Sequence, residues 1–154
     1  MPLRSPYKIL IIEDNEDQLE VLKTHFKAKG YEVESAFDAL GPLARLRKAE
    51  GKPIWDTILT DLRIPGMSGL EFIQVVHTID PHLPVILITA EGTQEDAVEA
   101  IRMGAYDFVL KPLNLVELTV TVERALRHNR LAMENHLLRT VLKDTAATGS
   151  MIAK

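Results

Sequence analysis

Apolar and polar positions along the chain follow two alternating rhythms. Short apolar runs occupy residues 7–12, 31–37, 54–61, 84–89 and 106–110, and the stretches between them repeat leucine, isoleucine or phenylalanine every three or four positions. The first run, Tyr-Lys-Ile-Leu-Ile-Ile, and the fourth, Pro-Val-Ile-Leu-Ile-Thr, are nearly unbroken, as in strands covered on both faces. Residues 31–37 alternate enough for an edge strand. Five runs alternating with helical spacing predict an α/β fold, a doubly wound five-stranded parallel sheet.

The predicted helices carry their own punctuation. Glu13-Asp14-Asn15 supplies N-cap candidates for a helix with Leu19, Leu22 and Phe26 inward, and Gly30 closes it. Residues 39–50 predict a second helix around Leu40, Leu43 and Leu46, with Gly41 and Pro42 in its first turn. Ser68-Gly-Leu-Glu71 is a capping box, which starts a helix running to about Thr78 with Leu70 and Ile73 inward. Asp80-Pro81 makes a turn. Thr93-Gln-Glu-Asp96 opens the next helix and Gly104 ends it, while Lys111-Pro112 breaks the fifth run before a last helix begins at Asn114-Leu-Val-Glu117.

That last helix overruns what a compact domain needs. No Gly or Pro occurs between Leu118 and Leu142, so it extends to roughly 28 residues, about 42 Å at 1.5 Å per residue. Leu126, Met133, Leu137 and Val141, interrupted by Arg130, read either as a dimeric coiled-coil seam or as a solvated linker helix. The expected division is a disordered tail at 1–6, a domain at 7–127, and a helical linker at 128–154 that leads toward an output domain.

Composition narrows the function classes. A chain of 154 residues with 46% hydrophobic and 26% charged residues buries a core without metal or disulfide staples. The formal net charge of −4 argues against a nucleic-acid-binding body. The absence of cysteine excludes disulfide and thiol chemistry. No apolar run approaches the roughly 18 residues of a membrane span, and the start is too short and polar for a secretory signal, so a cytoplasmic, membrane-free protein is expected.

The candidate chemistry sits where the strands stop. Glu13 and Asp14 follow the first run, Asp61 the third, Thr89 the fourth and Lys111 the fifth. Parallel strands bring all five to one sheet edge, where ligands of open α/β sheets bind. Three carboxylates gathered there shift their pKa values upward or hold a cation. Hard oxygen donors suit Mg²⁺, which also accepts a phosphoryl oxygen. An aspartate is a competent nucleophile for an acyl phosphate, with a lysine and a divalent ion neutralising charge. Each residue also has a plainer reading: Glu13-Asp14 and Asp61 as helix caps, Thr89 as a loop cap, Lys111 as a surface lysine.

Taken in order, Ile-Ile-Glu-Asp-Asn at 11–15, Thr-Asp-Leu-Arg-Ile-Pro-Gly-Met-Ser-Gly at 60–69, Ile-Thr-Ala at 88–90 and Gly-Ala-Tyr-Asp-Phe-Val-Leu-Lys-Pro at 104–112 resemble the receiver domain of two-component response regulators. The resemblance covers about residues 7–127 and implies the flavodoxin-like strand order 2-1-3-4-5. It further implies that Asp61 takes a phosphoryl group from a sensor histidine kinase. Mg²⁺ would be held by Glu13, Asp14, Asp61 and the backbone carbonyl of Arg63. Thr89 and Lys111 would bind phosphoryl oxygens, and Lys111-Pro112 would be a cis peptide. Phe108 stands at the family's aromatic switch position, though it also reads simply as a core aromatic. The side chains of Arg63 and Glu91 would lie over the phosphoryl group and tune its lifetime.

Residues 97–108 and the long charged helix resemble the receivers of NtrC-type transcriptional activators, implying a homodimer through the fourth helix, fifth strand and fifth helix, or through the C-terminal helix. No Gly-x-x-x-x-Gly-Lys-[Ser/Thr] phosphate loop occurs, so an ATPase output is not expected within these residues. Alternatives are a stand-alone regulator, a pseudo-receiver interaction module and a flavodoxin-like phosphohydrolase. A dehalogenase-type phosphatase would need a second aspartate where Arg63 stands.

Overall fold

A computed structural model describes residues 7–90 and 94–128. Its strands are β1 (Lys8–Ile12), β2 (Glu32–Ala36), β3 (Thr57–Asp61), β4 (Val85–Thr89) and β5 (Asp107–Leu110), and all neighbours pair in parallel in the order β2-β1-β3-β4-β5. This is the expected doubly wound, flavodoxin-like sheet. The helices are α1 (Glu16–Ala28), α2 (Leu40–Lys48), α3 (Gly69–Ile79) and α4 (Gln94–Arg102), with α5 beginning at residue 115 and described to residue 128. None is long and apolar enough to cross a membrane.

Strand alternation divides the core in two. Leu10, Ile12, Ile58, Val85 and Leu87 meet Phe72, Ile73 and Val76 of α3 and Leu43 and Leu46 of α2 on one face. Ile9, Ile11, Leu59, Ile86, Ile88 and Val109 meet Leu19, Leu22 and Phe26 of α1 and Leu118, Val122, Ala125 and Leu126 of α5 on the other.

Side chains seal the helix ends. Asn15 accepts from the Gln18 N–H to cap α1, Ser68 and Glu71 form the reciprocal box that opens α3, and Asn114 accepts from the Glu117 N–H at the start of α5. Helices α1 and α5 are tied laterally by His25. Thr119 spends its hydroxyl proton on the Leu115 carbonyl at 2.7 Å, so the His25 Nε2 atom, 2.7 Å away, must be the N–H donor of that bond.

The structure refines these expectations. In α3, Leu70 and Ile73 both pack against the core as expected, Leu70 half-buried, and Phe72 and Val76 complete the buried stripe. Leu126 is buried against α1 and the sheet, so it cannot head a dimer seam; Met133, Leu137 and Val141 lie outside the described residues, as do the 1–6 tail and the linker beyond 128. An unforeseen two-residue ladder, Arg63–Ile64 against Met67–Ser68, closes the turn between β3 and α3, with Gly66 at its tip.

Candidate functional site

Strands β1 and β3 are adjacent and end together, so Glu13 and Asp61 emerge beside each other at one sheet edge. The Glu13 N–H extends the β1–β2 ladder to the Ala36 carbonyl at 3.0 Å, which fixes its backbone. Its side chain is 2% exposed. One carboxylate oxygen accepts the Asn15 N–H at 3.1 Å, and the other is buried with no hydrogen-bond partner. A buried acceptor left unmatched is costly and calls for a donor or a cation. Burial is the main cause that pushes the Glu13 carboxyl above its ordinary pKa; the Asn15 N–H opposes this, Asp61 adds to it, Lys111 opposes it, and Asp14 adds a little.

Asp61 is half-buried and held from two sides. The Arg63 N–H donates to its Oδ1 at 3.1 Å, and Lys111 Nζ donates to its Oδ2 at 2.7 Å. Lys111 reaches it because β5 ends one strand beyond β4 and the Lys111 N–H is bonded to the Thr89 carbonyl at 2.8 Å. The Lys111–Pro112 peptide is cis, which only an X–Pro bond adopts at modest cost. Thr89 is fully buried at the end of β4. Asp14 is exposed at the rim.

Phe108 lies half-buried on β5, packed against the face lined by α3 and α4. The β4–β5 register pairs Leu87 with Phe108 and Thr89 with Leu110, so by alternation Thr89 and Phe108 face the same side of adjacent strands. The Arg63 side chain is exposed beyond Asp61, and Glu91 lies outside the described residues. On the α1 side, a recess of about 440 Å³ is lined by Asn15, Asp17, Gln18, Val21, Leu113 and Leu115.

The donor set fits a hard cation of the Mg²⁺ type. Glu13 offers an unmatched buried oxygen, Asp61 offers a second carboxylate, and Asp14, next to Glu13 in the chain, is exposed. Among the described residues no three acidic, histidine or cysteine side chains close into a cage. Two contributions escaped sequence reading. The Asn15 backbone N–H steadies Glu13, a role invisible because any non-proline residue supplies it. Gly69 abuts the Asp61–Leu62 backbone, a contact signalled only by a glycine directly after a helix cap.

A family model described as response regulator receiver domain matches residues 9–123. The chain is similar to the C4-dicarboxylate transport transcriptional regulatory protein DctD of Pseudomonas aeruginosa, 36% identical over 93% of the chain and 30% of that protein. It is 34% identical to the regulatory protein AtoC of Escherichia coli, over 94% of the chain and 31% of that protein. It therefore spans about a third of these relatives. In structure it resembles the receiver domain of NtrX from Brucella abortus, with a TM-score of 0.70 and 34% identity over 77% of this chain and 98% of that one.

Proposed function

The chain belongs to the response regulator receiver family, whose relatives here are regulators of the NtrC type, and on that premise we propose that it is a phosphorylation-dependent switch with Asp61 as phosphoacceptor. One observation carries this reading: a buried carboxylate with an unmatched oxygen, a second carboxylate and a lysine ammonium meet at one sheet edge.

In the proposed transfer, an Asp61 carboxylate oxygen attacks phosphorus. The O–P bond forms as the P–N bond to a sensor kinase histidine breaks, and the electron pair leaves with the imidazole. Lys111 moves from Asp61 Oδ2 to a phosphoryl oxygen, and the Thr89 hydroxyl donates to another. Glu13, Asp14, Asp61 and the Arg63 carbonyl would hold Mg²⁺, which when bound neutralises charge on the transferring group. The chain thus acts as an acceptor that assists its own modification rather than as an enzyme with a turnover substrate. The phosphoryl donor on this reading is a sensor histidine kinase in the cytoplasm.

Switching follows from the shared face of Thr89 and Phe108. Drawing Thr89 toward the phosphoryl group vacates space that Phe108 fills by turning inward, a population shift set by packing because Phe has no hydroxyl to bond. The α4–β5–α5 surface changes with it. That surface carries exposed Val98 and Ile101 on α4 and Val116 and Val120 on α5, and Arg124 of α5 reaches Asp107 of β5 at 3.5 Å. We assign homodimerisation to this face and, from the regulators of transcription among the relatives, a transcriptional output to the full protein. Amide NMR before and after loading with Mg²⁺ and a small acyl phosphate tests the switch. Shifts are expected at Asp61, Thr89 and Lys111, spreading to Ala100, Phe108 and Val120. Shifts confined to the rim would contradict it.

A further inference from the structure

Gly30, Gly51, Gly66 and Gly104 adopt positive φ angles that favour glycine. Gly41 and Gly69 do not, so their backbones would accept alanine. Around Gly41 there is nothing for an added Cβ to meet within 4 Å. Gly69 is different. A Cβ there would lie 2.8 Å from the Leu62 carbonyl oxygen, 2.9 Å from Leu62 Cα and 3.1 Å from the Asp61 carbonyl oxygen. These are backbone atoms, which cannot swing aside as a side chain does.

The glycine is also poorly explained by helix formation, since it disfavours helix relative to alanine. What it permits is contact. The Gly69 N–H donates to the Leu62 carbonyl at 2.7 Å, so the first residue of α3 sits directly on the peptide that follows Asp61.

We propose that Gly69 is a positioning residue for phosphoryl acceptance: its missing side chain seats the start of α3 on the Asp61–Leu62 peptide and thereby sets where the Asp61 carboxylate stands relative to Glu13 and Lys111. The proposal rests on the reading of Asp61 as phosphoacceptor. The seat transmits displacement because both sides are anchored. On the strand side, β3 is paired with β1 and β4, and the Leu62 N–H is bonded to the Ile88 carbonyl at 3.2 Å. On the helix side, Phe72, Ile73 and Val76 are locked in the core and the Ser68–Glu71 box holds the helix end. The peptide in contact belongs to residues 61–63, a short segment that includes the acceptor, the N–H that steadies its Oδ1, and the carbonyl assigned to the cation. An added methyl group would fall about 0.6 Å short of the 3.4 Å at which ordinary contact begins, and this short segment is what must yield.

The test compares wild type, Gly69→Ala, Gly41→Ala and Gly104→Ala at a temperature where circular dichroism shows each folded. Gly104→Ala is the overpacked comparator: its Cβ would meet His77 Nδ1 at 2.8 Å, in another part of the molecule. Two quantities are read: Mg²⁺ affinity of the unphosphorylated protein by calorimetry, and the rate of phosphoryl uptake from a small acyl phosphate by intact mass. Misplacing a reacting group by 1 Å can cost about 100-fold, so Gly69→Ala should take up phosphoryl at least about tenfold more slowly and bind Mg²⁺ more weakly. The other two variants should stay within about twofold of wild type. Wild-type rate and affinity in folded Gly69→Ala would overturn the proposal, as would an equal loss in Gly104→Ala. Should Gly69→Ala not fold, the double variant Ser68→Ala/Glu71→Ala loosens the same seat without overpacking; slower uptake supports the proposal, and an unchanged rate overturns it. If wild type itself takes up no phosphoryl group, it is the Asp61 reading that fails, and the Mg²⁺ affinities alone decide the role of Gly69.

Discussion

A carboxylate buried among other carboxylates costs stability until a cation or proton arrives, and Glu13 is that residue here. Burial first, then the charges of Asp61 and Asp14, hold its pKa above the ordinary 4.5. The folded state therefore binds this proton more tightly than the unfolded chain. Glu13's contribution to stability is greatest below pH 4.5 and falls as pH rises through the raised value. Glu13→Gln is expected to raise the melting temperature of the metal-free protein at pH 8 by a few degrees. The gain should shrink as pH falls toward 4.5, and Mg²⁺ binding should be lost. A variant less stable than wild type in a metal-free melt would contradict this. Arg63 acts at the same scale in two parts: its backbone N–H holds Asp61, whereas its exposed side chain projects beyond. Arg63→Ala should leave phosphoryl uptake intact and speed dephosphorylation by admitting water. An unchanged decay rate in a phosphate-release assay would exclude this tuning role.

Among the elements, β2, α2 and the start of β3 are joined by one carboxylate. Arg45 Nη1 donates to Glu34 Oε1 at 2.6 Å, Trp55 Nε1 donates to the same atom at 3.0 Å, and the Arg45 guanidinium lies 4.9 Å from the Trp55 ring centre. Burial would push the Glu34 carboxyl up, but the hydrogen bonds from Arg45 and Trp55, with the charges of Arg45 and Lys8, hold it below the usual value. The sign is opposite to that of Glu13. Its stabilisation is complete above pH 4.5 and is lost as pH falls through the lowered pKa. Glu34→Gln should therefore cost on the order of 1 kcal/mol at neutral pH, since the pair is partly solvated, and progressively less in acid. Urea unfolding followed by Trp55 fluorescence across this range checks it; a cost independent of pH would refute the ion-pair account.

The strands and helices were legible in the sequence because buried parallel strands read as unbroken apolar runs, and Asn15, Ser68 and Asn114 mark helix starts. The gathering of Glu13, Asp61, Thr89 and Lys111 at one sheet edge was legible through their placement at strand ends. What could not be read depends on distances between segments: the seating of Gly69, the orphaned oxygen of Glu13, and the turn of α5 that commits Leu126 to the core.

At the scale of the molecule, one sheet edge gathers the chemistry, and the α4–β5–α5 face leaves apolar side chains in solvent, with Val116 74% exposed. If that face carries the dimer, Val120→Glu should abolish phosphorylation-driven dimerisation in light scattering and leave phosphoryl uptake unchanged. A dimer that persists in this variant would assign association elsewhere. All of this depends on Asp61 as acceptor. The most direct measurement is intact mass after incubation with Mg²⁺ and a small acyl phosphate, for wild type and Asp61→Asn, with chelator as a third arm. The account predicts one added phosphoryl group on wild type, none on Asp61→Asn and none with chelator. An equal gain by Asp61→Asn, or no gain by folded wild type that binds Mg²⁺, would contradict it.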